Sequence, residues 1–87
     1  MIVFSATNEV TGDVFVGSTR ESLEVEWVQL ISQADEGVSG GFFNQLRNYG
    51  AEKFEVEAYA YADSGSELRE LTREAREELS AESHLLQ

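Results

Sequence analysis

The chain has no cysteine, and that one absence removes disulfide bridges, thiolate zinc sites and cysteine nucleophiles together. Histidine is nearly missing too. His84 stands alone close to the chain end, where its partial positive charge suits a helix terminus better than a rigidly held Ser-His-Asp triad. No long hydrophobic run occurs. The start, MIVFSATNEV, has no basic stretch and only Ile2 to Phe4 as an apolar run before Ser5, too short for a signal peptide or a membrane span. A cytoplasmic location without a membrane partner is therefore expected. Glycine-rich phosphate loops are also lacking, since GVSGG at 37–41 has neither the lysine nor the strand-to-helix setting they require. Acidic pairs such as Asp35-Glu36 and Glu77-Glu78 are too local to form a calcium loop.

Positive charge is the scarcest commodity: 6 Lys and Arg stand against 17 Asp and Glu, for a net charge of −11 and a pI near 4.2. Proteins that grip phosphate backbones draw affinity from Lys and Arg, so direct nucleic-acid binding is not expected. The balance fits a solvated acidic surface, or a surface that meets a basic or nucleic-acid-binding protein.

What remains is enough for one folded domain, 1–87. The hydrophobic share is 41%, with five Phe, three Tyr and one Trp, which supplies a single core and excludes a disordered composition. A chain of 87 residues buries roughly 60% of its extended surface and gains a net stability on the order of 5 kcal/mol.

The apolar pattern changes period along the chain. Ile2 to Ala6 and Val14 to Val16 are strand-like and separated by TNEVTGD, whose Asn, Gly and Asp supply turn chemistry, so a β-hairpin is predicted. Leu23, Trp27, Leu30, Ile31 and Ala34 then fall on one stripe of an amphipathic helix, with Ser18, Thr19 and Ser22 as candidate N-caps. DEGVSGG ends it. FFNQLRNYG reads as a short second helix closed by Gly50. KFEVEAYAYAD alternates, placing Phe54, Val56, Ala58 and Ala60 on one face and Glu55, Glu57, Tyr59 and Tyr61 on the other. Those two tyrosines read as half-buried strand aromatics or as anchors for a partner. SGSELRELTREAREELSAESHLLQ opens with the Ser64–Glu67 spacing of a capping box and continues as a charged helix with Leu68, Leu71, Ala75 and Leu79 inward. The order β-β-α-α-β-α implies an α+β domain with a small three-stranded antiparallel sheet flanked by three helices.

IVFSATNEVTGDVFVGST, SLEVEWVQLI, FFNQLRNYGAEKFEVE and SGSELRELTREAREEL resemble, in order and spacing, the GIY-YIG endonuclease domain. The turn into FVGST and the stretch NYGAEKFEVE are the most specific parts. The resemblance implies a cleft with two tyrosine hydroxyls, an arginine on the first long helix facing phosphate, and a glutamate on the last helix holding a divalent metal.

Transferred position by position, the resemblance lands on residues that lack these atoms. The first tyrosine's place is taken by Phe4 and the second's by Phe15, while Gly17 is kept. A phenyl ring fills the same volume but neither donates nor accepts a proton. The arginine's place holds Glu26. At ~5 Å and an effective dielectric of ~20 that reversal swings roughly 6 kcal/mol against phosphate. The metal glutamate's place falls on Thr72, flanked by Glu70 and Glu74, each pointing to another face of the helix. A register shift of one or two residues would restore a carboxylate there.

Read without the resemblance, Phe4 and Phe15 are core aromatics of a hairpin and Glu26 is a surface residue of its helix. Three functions follow. A degenerate, non-catalytic GIY-YIG-like domain would act as an acidic binding or regulatory module and need no cofactor. A rebuilt endonuclease would hold Mg²⁺ or Mn²⁺ through Glu26 with Glu70 or Glu74. A structural or oligomerising module would do neither.

Overall fold

A computed structural model describes residues 1–79 and 83–84. Strand β1 (Ile2–Asn8) and strand β2 (Val14–Thr19) form an antiparallel hairpin in which Phe4 faces Gly17 and Ala6 faces Phe15. The turn is built by Asn8. Its Oδ1 accepts from the N–H groups of Val10 at 2.9 Å and Thr11 at 3.3 Å, and its carbonyl accepts from Gly12 N–H at 2.7 Å. Gly12 occupies φ +82°, a left-handed conformation that a side chain would strain.

Strand β3 (Phe54–Tyr61) pairs antiparallel with the other side of β1. The antiparallel sheet therefore runs β3-β1-β2, and the two-residue strand β4 (Ser83–His84) adds in parallel to the outer side of β2. Among the described residues the outer side of β3 is unpaired, with Glu55 and Glu57 exposed. Its alternation breaks once. Val3 pairs with Ala60 and Phe4 with Ala58, so Tyr59 is an extra residue in a β-bulge. Ala60 thereby leaves the face shared by Phe54, Val56 and Ala58, which strict alternation assigns it to.

Helix α1 (Leu23–Asp35) starts at Ser22, whose Oγ accepts from Val25 N–H at 3.2 Å. It closes in a Schellman motif: Val38 N–H donates to Gln33 O and Gly37 N–H to Ala34 O, both at 3.1 Å, with Gly37 at φ +92°. Helix α2 (Gly41–Tyr49) then sends Arg47 back to that end, where Nη1 donates to Ala34 O at 2.9 Å and Val38 O at 2.8 Å. A cation beside the carbonyl end of a helix is favourable by charge and by hydrogen bonding. One turn of 3₁₀ helix (Ala51–Lys53) leads into β3.

Helix α3 (Gly65–Glu78) begins at Ser64, whose Oγ accepts from Glu67 N–H at 3.2 Å. The Glu67 carboxylate accepts from Asp63 N–H at 2.7 Å, one residue earlier than a regular capping box. The helix ends at Glu78 with Leu79 as its cap, so the helical reading does not extend to His84, whose backbone is in β4. Residues 80–82 and 85–87, which that reading also covered, lie outside the described residues.

Burying both sheet faces gives two cores. On one face Phe4, Ala6 and Phe15 pack with Leu30 and Ala34 of α1, Phe42, Phe43 and Leu46 of α2, and Phe54. Phe42 is the hub, with ring centroids 5.3 Å from Phe15, 5.2 Å from Phe43 and 5.7 Å from Phe54, each edge-on. Such tilted contacts suit the aromatic quadrupole. On the opposite face Val3 and Val16 pack with Ala62 and with Leu68 and Ala75 of α3. Helices thus cover both faces of the sheet.

Candidate functional site

Phe4 and Phe15 project from paired strands onto the same sheet face, because Phe4 faces Gly17 and Phe15 faces Ala6. Both enter the core beneath α1 and α2, where Phe4 is 0% and Phe15 3% exposed. The pair is brought together, but as packing rather than as the lining of an open cleft. Neither ring carries a group able to move a proton.

Glu26 departs from the surface position its sequence context suggests. It is 8% exposed and begins a line with Leu30 and Ala34 at four-residue intervals, the deepest line of α1. Leu23, Trp27 and Ile31 flank that line and are only partly buried. The apolar stripe in the sequence marks the correct side of the helix; its centre is shifted onto a residue whose type does not announce burial. Placement in the first turn sets the carboxylate in the positive end of the helix dipole.

A cleft of about 340 Å³ opens at this point, lined by Ser18, Thr19, Arg20, Glu21, Glu26 and Leu68. Three elements meet there: the end of β2, the start of α1 and the first turns of α3. Thr19 is buried and its Oγ1 accepts from Glu21 N–H at 3.0 Å, which fixes the strand-to-helix turn. Arg20 is exposed. Its Nη2 lies over the start of α3, 3.7 Å from where a Cβ on Gly65 would stand. Arg20, Ser18 and Leu68 were not legible as site residues, because nothing in STRES or in the helix stripe distinguishes them from turn and core positions.

Thr72 lies one turn beyond Leu68 and turns its hydroxyl back onto its own helix, donating to Leu68 O at 2.6 Å. Glu70 and Glu74 are exposed, and Glu70 pairs with Arg73 at 3.7 Å. These two carboxylates are not among the residues lining the Glu26 cleft. Among the described residues no three His, Cys, Asp or Glu side chains converge as metal ligands. A second hollow of about 310 Å³, lined by Leu23, Glu24, Trp27 and Val56, lies beside β3.

Tyr59, on the face that alternation assigns it, packs against the α3 core and donates its hydroxyl to Glu78 Oε2 at 2.7 Å. That hydrogen bond holds its ionisation above the usual phenol range, helped by partial desolvation and by the charges of Glu78 and Glu74. Tyr61, two residues on, pairs with Ile2 and is 73% exposed.

Among solved structures, the catalytic domain of the homing endonuclease I-TevI matches with a TM-score of 0.80, covering 98% of this chain and 97% of that one. The chain has the GIY-YIG fold. Sequence identity with that domain is 15%, so the likeness lies in the arrangement of elements. No family model matches the chain, and no curated protein matches it. Within the GIY-YIG frame, the hairpin carrying Phe4 and Phe15 and the helices carrying Glu26 and Thr72 are all present in the expected order. No helix among the described residues is long and apolar enough to cross a membrane.

Proposed function

We propose that this chain is a degenerate, non-catalytic GIY-YIG-like domain that acts as an acidic binding or regulatory module for a basic protein, in a cytoplasmic setting. One observation carries the reading: the two rings at the expected tyrosine positions are plain phenyls packed into the core at 0% and 3% exposure. General acid–base chemistry requires an ionisable group within hydrogen-bond reach of the reacting atoms. Glu26 supports the reading further, because an anion at that place opposes a phosphodiester rather than neutralising it. The net charge of −11 acts in the same direction over the whole surface and favours a cationic partner.

The test is direct. Purified chain is incubated with supercoiled plasmid and with linear duplex DNA, in Mg²⁺ and separately in Mn²⁺, and sampled over long times. No nicking and no retarded band are expected, while an arginine-rich polypeptide such as protamine is retained by the immobilised chain at moderate salt. Metal-dependent cleavage that disappears in Glu26→Gln would establish the rebuilt endonuclease instead.

A further inference from the structure

We propose that the cleft between α1 and α3 receives an arginine side chain of a basic partner protein, with the Glu26 carboxylate as the acceptor for its guanidinium. The inference rests on the binding-module reading and gives that module a specific contact.

Glu26 is 8% exposed, yet among the described residues its carboxylate takes part in no hydrogen bond and no ion pair. Among the described residues the one buried side-chain polar atom without a partner is Arg76 Nε, so the Glu26 oxygens keep contact with water and are accessible to a ligand. Here the place for a partner is open, because the cleft of about 340 Å³ leads from solvent to Glu26. Its lining carries two carboxylates, Glu21 and Glu26, against one cation, Arg20. Arg20 does not neutralise either of them, since among the described residues it forms no ion pair and its Nη2 lies over Gly65 instead.

The chemistry selects among ligands. An anion would be driven into contact with a like charge. A hard divalent cation needs several oxygen ligands at short range, and no three acidic side chains converge among the described residues. An organic cation needs only one good acceptor and a surface for its stem. Glu26 supplies the acceptor in a two-oxygen form that matches the planar guanidinium fork. The Ser18 hydroxyl adds a further acceptor on the rim, whereas the Thr19 hydroxyl is already engaged with Glu21 N–H. Leu68 offers apolar surface on which the three methylenes of arginine can lie.

The experiment is an amide NMR titration of the full ¹⁵N-labelled chain with N-acetyl-L-arginine methylamide, and in parallel with inorganic phosphate and with MgCl₂. Saturable shifts confined to residues 18–21, Glu26 and Leu68 are expected with the arginine probe alone. Glu26→Gln weakens that binding at least fivefold, Arg20→Gln tightens it at least twofold, and Glu24→Gln on the same helix leaves it unchanged. The dispersion of each spectrum reports whether the variant is folded. If Glu26→Gln does not fold, the Arg20→Gln arm still decides, because a merely structural Glu26 gives no reason for tightening. Shifts scattered over the acidic surface, binding of phosphate or Mg²⁺ in the cleft, or an unaltered affinity in folded Glu26→Gln would overturn the assignment. Failure of the arginine probe with protamine still retained removes the cleft and leaves the binding module. Metal-dependent DNA cleavage removes the module whatever the cleft does.

Discussion

Asn8 and Gln45 are 37 residues apart in sequence and joined by a hydrogen bond of 2.9 Å from Asn8 Nδ2 to Gln45 Oε1. Gln45 Nε2 in turn donates to Asp13 Oδ2 at 2.7 Å. The hairpin turn is thereby locked onto α2 by a side chain that is itself 0% exposed. A buried amide with every partner in place stabilises modestly, but deleting it strands the groups it satisfied.

Replacing Asn8 with alanine is therefore expected to cost about 2–3 kcal/mol, since Val10 N–H, Thr11 N–H and Gln45 Oε1 all lose their partner. For a domain of this size that corresponds to a fall in Tm of about 10–20 °C, readable by thermal circular dichroism. A change of a few degrees would show that the network contributes little.

Phe4→Tyr places a phenol at the position to which the resemblance to the GIY-YIG domain assigns one. The hydroxyl enters a site with 0% exposure among Ala6, Phe15 and Leu30, so a loss of about 1–3 kcal/mol is expected in chemical denaturation. Plasmid cleavage with Mg²⁺ or Mn²⁺ is expected to stay at background, also with Phe15→Tyr added. A gain of nicking in the double variant would show that hydroxyls alone were missing.

Tyr59 gives the pH dependence. Its phenol is held above the ordinary 10.0 by the hydrogen bond to Glu78, so the folded state prefers the protonated form. The contribution is complete below that ordinary value and is lost as pH rises through the higher folded value. Glu78→Gln removes the charge and the strongest acceptor, and the tyrosinate absorbance should then begin to rise at lower pH. Identical titration curves for the two proteins would refute the contact.

Much of this architecture is legible in the sequence because it rests on period and punctuation. The hairpin shows in TNEVTGD, α1 in the spacing of Leu23, Leu30 and Ala34, and α2 in FFNQL closed by Gly50. Less legible is whatever depends on a single displaced residue. One extra residue at Tyr59 sends Ala60 and Tyr61 to the faces opposite those that alternation predicts, and a bulge leaves no mark in apolar periodicity. Glu26 is hidden for a related reason. Its type reads as surface, and only the packing of α1 against the sheet reveals that the deepest line of the helix passes through it. The role of Arg47 on the carbonyls of α1 is likewise a long-range contact that composition does not signal. Strand β4 has only two residues, Ser83 and His84, too few to carry any pattern.

The open side of β3 has one more consequence. An eight-residue strand whose border is unpaired among the described residues is a template on which further strands can stack, and here Glu55 and Glu57 are the sentries along it. Repulsion between like charges is what keeps two such borders apart, and concentrated salt shortens its reach.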